Sequence, residues 1–92
     1  MGLFYTKKSL VELIKDLLPS DLTKTELDVL EYFLRNISVG EIIAFKELRL
    51  FYKIDDPGPV LEKLIQRNLI ERGEGCFNIS RNLLEALKKR KQ

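Results

Sequence analysis

The stretch LEKLIQRNLIERGEGCFNI, Leu61–Ile79, carries the most specific pattern in the chain. Leu61, Leu64 and Ile65 recur at helical spacing, and Val60 widens their apolar side. Just before them, Asp55-Asp56-Pro57-Gly58-Pro59 breaks the preceding pattern and starts this helix. An Asp followed by Pro supplies an N-cap, then a first helical residue with no amide hydrogen to leave unbonded. The helix is expected to run to about Arg67. Asn68 then stands where a left-handed cap is needed, a conformation Asn tolerates. Beyond it, LIER and CFNI pair as strands across a turn containing Gly73 and Gly75.

Upstream, EIIAFKELRLFYKI is mixed. Ile42, Ile43 and Ala44 suit a short strand or extended turn. Phe45 to Lys53 suits a short helix with Leu48, Phe51 and Tyr52 on its buried side. In TKTELDVLEYFLRN, Thr23 and Glu26 have capping-box spacing. Leu27, Leu30, Phe33 and Leu34 form the buried stripe of that helix, which ends near Asn36. SLVELIKDLL repeats the capping spacing at Ser9 and Glu12. Its face of Leu10, Leu13, Ile14 and Leu17 is widened by Val11 and Leu18, and Pro19 ends it. At the other end Ser80 caps a last helix, RNLLEALKKRKQ, with Leu83, Leu84 and Leu87 on one side. No repeat and no long linker interrupts the chain. The expected unit is one domain over 1–92, with a core at 23–80 and helical additions at 9–18 and 81–91.

The 92 residues are 45% apolar and 33% charged, the composition of a soluble globular protein. No apolar run approaches the roughly 18 residues needed to span a bilayer. MGLFYTKKSL lacks a signal peptide's basic start and small-residue cleavage site, so an intracellular protein is expected. There is no histidine and one cysteine, Cys76. That excludes an internal disulfide, the usual zinc ligand sets and Ser-His or Cys-His catalysis. No enzyme, metal or cofactor is expected, and Cys76 reads as a small buried apolar residue. The richness in Lys, Glu, Ile and Leu leans towards a thermophilic source.

In order, the elements are helix, short strand, helix, turn, helix and two-stranded hairpin. This order resembles a winged helix-turn-helix over about residues 23–80. TKTELDVLEYFLRN is similar to its first core helix, AFKELRLFYKI to the second, and DPGPVLEKLIQRNLIERGEGCFNIS to the third helix and wing. The resemblance implies a mainly α fold with a small β-hairpin (α+β), and double-stranded DNA bound by the third helix and the wing. A transcriptional regulator or chromatin-associated factor is the leading expectation. Many winged helices instead bind proteins, so the alternative is an accessory subunit of a larger nucleic-acid machine, such as a DNA polymerase.

For DNA, the outer face of the third helix offers Lys63 and Gln66, flanked by Arg67. Lys46 and Arg49 would contact backbone from the second helix, and Arg72 from the wing. Lys88, Lys89, Arg90 and Lys91 would hold phosphates, with Lys7 and Lys8 adding to them. Charge runs against this reading at the helix itself. Residues 55–80 carry three basic and five acidic side chains, whereas 81–92 carry five and one. Asp55 and Asp56 would repel a phosphate at the helix start, where they are expected to serve as cap and dipole partner. Leu3, Phe4 and Tyr5, with Leu10, Leu13, Ile14 and Leu17, offer more apolar surface than so small a core needs. They are the candidate interface for a two-fold dimer or another partner.

Overall fold

The computed structural model describes residues 9–90, and the expectations placed on Leu3, Phe4, Tyr5, Lys7, Lys8 and Lys91 lie outside the described residues. The fold is mixed α+β. Its elements run α1 (Leu10–Leu13), α2 (Lys24–Arg35), β1 (Ser38–Gly40), α3 (Glu41–Tyr52), α4 (Pro57–Gln66), β2 (Ile70–Gly73), β3 (Cys76–Ile79) and α5 (Arg81–Arg90). A 3-10 turn at Lys15–Leu17 follows α1.

Helix α2 is the centre of the core. Its capping box closes as the spacing implied: Thr23 Oγ1 accepts from the Glu26 amide at 3.1 Å, and Glu26 Oε1 accepts from the Thr23 amide at 2.8 Å. Val29, Leu30 and Phe33 are fully buried. Phe33 meets Phe77 of β3 edge-on, with ring centroids 6.2 Å apart. Leu61 and Leu64 of α4 and Leu83 and Leu87 of α5 complete the same apolar cluster.

The hairpin forms at the expected place, with Gly73 opposite Cys76 and Gly75 at φ 68 in the turn. Asn68 takes the left-handed conformation at φ 62, and the buried Ser80 accepts the Leu83 amide on its hydroxyl at 3.3 Å. The sheet has a third strand, at Ser38–Gly40 and so a few residues before the short strand expected at Ile42–Ala44. β1 pairs antiparallel with β3, placing Val39 opposite Phe77, so the strand order is β1-β3-β2.

Four local expectations need correction. Ile42, Ile43 and Ala44 lie in α3 rather than in a strand. Ser38–Gly40 takes the sheet edge instead, and the Glu41 amide donates to Gly75 O at 2.9 Å, starting the helix against the hairpin turn. Burial of Ala44 one turn before Leu48 then outweighs the modest helix penalty of two β-branched residues. Phe51, expected to be buried, is 68% exposed. The helix ends two residues later at left-handed Lys53. Ile54 folds back over the core in its place, its amide donating to Leu48 O at 3.2 Å. At α4, Asp56 occupies the N-cap before the buried Pro57, but its carboxylate makes no capping bond.

The fourth correction is at α1, which is only four residues long and has no Ser9–Glu12 box. Its cap comes from α2. The Glu31 carboxylate accepts the Leu10 and Val11 amides at 3.0 and 2.9 Å and the Ser9 hydroxyl at 2.8 Å. Burial pushes the Glu31 carboxyl upward, but these bonds and the nearby Arg35 outweigh it and hold the group below its ordinary value.

Glu31→Ala should therefore cost about 1–3 kcal/mol, the penalty for orphaned amides, read as a lowered midpoint in urea unfolding. Glu31→Gln, which keeps one acceptor oxygen, should lose less. Because the folded carboxyl titrates below its unfolded value, its contribution is present above the ordinary glutamate range and is lost as pH falls through the folded value. The gap between wild type and Glu31→Ala should accordingly narrow on acidification.

Candidate functional site

The residues expected to touch DNA are scattered, and four of their eight described cations are paired with acids within the chain. On α4, Lys63 lies 3.9 Å from Glu26, and Arg67 donates to Asp21 at 2.7 Å. The Arg67 hydrogen bond holds the Asp21 carboxyl below the usual range. Gln66 is exposed beside them. Arg72 in the wing pairs with Glu62 and lies over the Phe77 ring. On α5, Arg90 donates to Asp16 at 2.5 Å and to Leu13 O at 3.0 Å, joining the helix to the turn after α1. That hydrogen bond to Asp16 raises the Arg90 pKa and lowers that of Asp16. Lys88 and Lys89 remain exposed with no ion pair among the described residues. The outer face of α4 is therefore a lattice of compensated charges and not a row of cations free for phosphate.

The α1 face is largely used up inside the fold. Ile14 is fully buried, Leu10 and Leu13 pack against the core, and only Leu17 is substantially exposed. As far as it is described, this face is mainly packing surface.

Helix α3 is different. Only Ala44 and Leu48 are fully buried on it. A second attachment comes from α2, where the Tyr32 hydroxyl donates to Glu47 Oε1 at 2.5 Å. Burial and then this bond push the Tyr32 phenol above its ordinary value. The opposite side of α3 is apolar and open to water. Ile42 is 83% exposed, and Ile43 and Leu50 are each 54% exposed. Advancing about 100° per residue, Ile42, Lys46 and Leu50 stack along the centre of that side, with Phe45 and Arg49 beside them. Together with Glu41 they line an open groove of about 540 Å³. The Arg49 guanidinium lies 5.7 Å from the centre of the Phe45 ring. A second concavity at the N-terminal end is lined by Gly40, Glu41, Ile42, Ile43 and Gly75.

Lys46 and Arg49, expected to face DNA backbone, thus sit inside an apolar face. The rest of that face went unpredicted. Its signal was present: eight of the twelve residues of α3 are apolar, too many for one buried side. Beyond the buried Ala44 and Leu48, several of these eight are left exposed on a surface helix. Among the described residues no group of three or more His, Cys, Asp or Glu could hold a metal, and no helix is long and apolar enough to cross a membrane.

Comparison with known families gives a match to PolB1 Binding Protein 2 over residues 23–85. No curated protein matches the chain. The family match overturns the expected membership of a DNA-binding winged helix-turn-helix family, and with it the transcriptional regulator and chromatin-factor readings. It also overturns double-stranded DNA as the expected partner, since the family is named for binding a protein. That name agrees with the alternative of a protein-interaction subunit and with a binding role rather than an enzymatic one. The match runs from the cap of α2 to the middle of α5, taking in all of α3 and most of the core, and the chain belongs to the PolB1 Binding Protein 2 family.

Proposed function

We propose that this protein is an accessory subunit that binds PolB1, a replicative DNA polymerase, and meets it through the outer face of α3. The observation that carries the surface assignment is the exposure of Ile42, Ile43 and Leu50 on one side of a twelve-residue helix. Three large apolar side chains left in water on one element carry a hydrophobic cost, about 25 cal/mol per Å² of apolar surface, that a partner can remove. Scattered single residues would carry no such meaning; a contiguous face does. Lys46 and Arg49 belong to the same contact and give it a polar component, as protein interfaces of this kind have.

The order α2, β1, α3, α4 and hairpin, with β1 on the far side of β3 from β2, supports reading the fold as a winged helix turned to protein contact. In that arrangement α4 would occupy the place of a reading helix, and its outer charges are already paired. Work at a polymerase would place the protein inside the cell.

The test is binding of purified PolB1 by calorimetry. Ile42→Asn combined with Leu50→Asn should weaken binding at least about tenfold, as loss of interface anchors does. Thermal stability should stay close to wild type, because exposed sites usually change it by no more than about 0.5 kcal/mol. By contrast, Leu48→Ala should cost about 2–5 kcal/mol of stability as a core truncation. Unchanged affinity in the double variant would place the contact elsewhere.

A further inference from the structure

We infer that the α3 face receives an amphipathic helix of the polymerase whose apolar side is flanked by carboxylates. This rests on the preceding reading of the protein as a PolB1 subunit and specifies the chemistry of the contact.

The shape of the groove argues for a helix. Its six lining residues form two neighbouring rows along α3, Glu41–Phe45–Arg49 and Ile42–Lys46–Leu50, each with a spacing of four. Rows of this kind are the ridges by which helices pack, and the furrow between two of them accepts a ridge of another helix, crossing at about −50°. From Ile42 to Leu50 the furrow is about 12 Å long, at about 1.5 Å per residue. That length admits two turns of a facing helix.

The charge of the groove argues for carboxylates. Seven cations of the described chain already have acidic partners: Lys15, Lys24, Arg35, Lys63, Arg67, Arg72 and Arg90. Lys46, Arg49, Lys53, Arg81, Lys88 and Lys89 make no such pair among the described residues; of these only Lys46 and Arg49 line the groove, where Glu41 at its N-terminal end is the one carboxylate, and Arg49 donates to the backbone carbonyl of Asp55 at 3.3 Å. The two positive charges stand one helical turn apart between Ile42, Phe45 and Leu50. A partner that covers the apolar residues must also cover these charges. Leaving them buried and unpaired would cost more than the apolar contact returns. Acidic residues three or four apart on the incoming helix would answer both and leave its apolar residues in the furrow.

The test is PolB1 binding measured at several salt concentrations. Lys46→Gln with Arg49→Gln keeps the apolar rows and removes the charge. It should weaken binding about tenfold at low salt and flatten the salt dependence, as loss of complementary charge does. Lys88→Gln with Lys89→Gln, on exposed cations of α5, should bind as wild type. Zero-length carbodiimide coupling of the wild-type complex should join the Lys46 amine to an Asp or Glu within a helical segment of PolB1. If the wild-type chain fails to bind PolB1, the subunit reading falls and this inference with it. If wild type binds and the Lys46→Gln, Arg49→Gln protein binds equally well at every salt concentration, the subunit reading stands and the acidic helix is overturned. Coupling of Lys46 only to a non-helical segment would also overturn it.

Discussion

Ala44 and Leu48 hold α3 to the core, and the rest of the molecule's outward character follows from how little of that helix they use. An α-helix has a whole circumference to account for. When two small to medium side chains fill the contact, a mostly polar remainder is the ordinary outcome. Here the remainder is Ile42, Ile43 and Leu50, with two cations set among them. The core cannot turn the helix to hide them without withdrawing Leu48 and breaking the Tyr32–Glu47 hydrogen bond that pins its inner edge to α2. The start of α3 is fixed as well, through the Glu41 amide on the hairpin turn. The apolar face is therefore held rigid and presented ready-made, which lowers the ordering cost of association.

Helix α4 offers less free charge than its place in the chain suggests. Its inner side, Leu61 and Leu64, is committed to the core. On its outer side Lys63 and Arg67 meet Glu26 at the start of α2 and Asp21 before it, and its own Glu62 pairs with Arg72 of β2. Each exposed pair adds little stability. Together they remove the free positive charge that a nucleic-acid surface requires.

How much of this was legible in the sequence depended on whether the cause was local. The Thr23–Glu26 box, the left-handed Asn68, the two-glycine hairpin and the Ser80 cap are written within a few residues, and each was read correctly. The α1 cap was not, because the Glu31 carboxylate that makes it lies some twenty residues away. Strand β1 is three residues long and exists only as a partner of β3, so SVG carries no periodic signal of its own. The Ile42–Ala44 run favours a strand by side-chain type, and tertiary burial of Ala44 overrode that preference. Phe51 was placed inside by helical spacing, which says nothing of where the helix stops. The candidate site lay in the misread Ile42–Ala44 run: Ile42 and Ile43, assigned to a strand, stand exposed on α3, and Lys46 and Arg49, read as contacts to DNA backbone, lie on the same side of that helix.

Hydroxyl-radical footprinting of the protein, alone and bound to PolB1, tests the central claim most directly, because it reads side-chain accessibility residue by residue. Oxidation of Ile42 and Leu50 should fall several-fold in the complex, on the order of the loss that full burial produces, while that of Leu17, in the turn after α1, stays unchanged. A complex in which Leu17 is protected and the α3 residues react as they do in the free protein would contradict it.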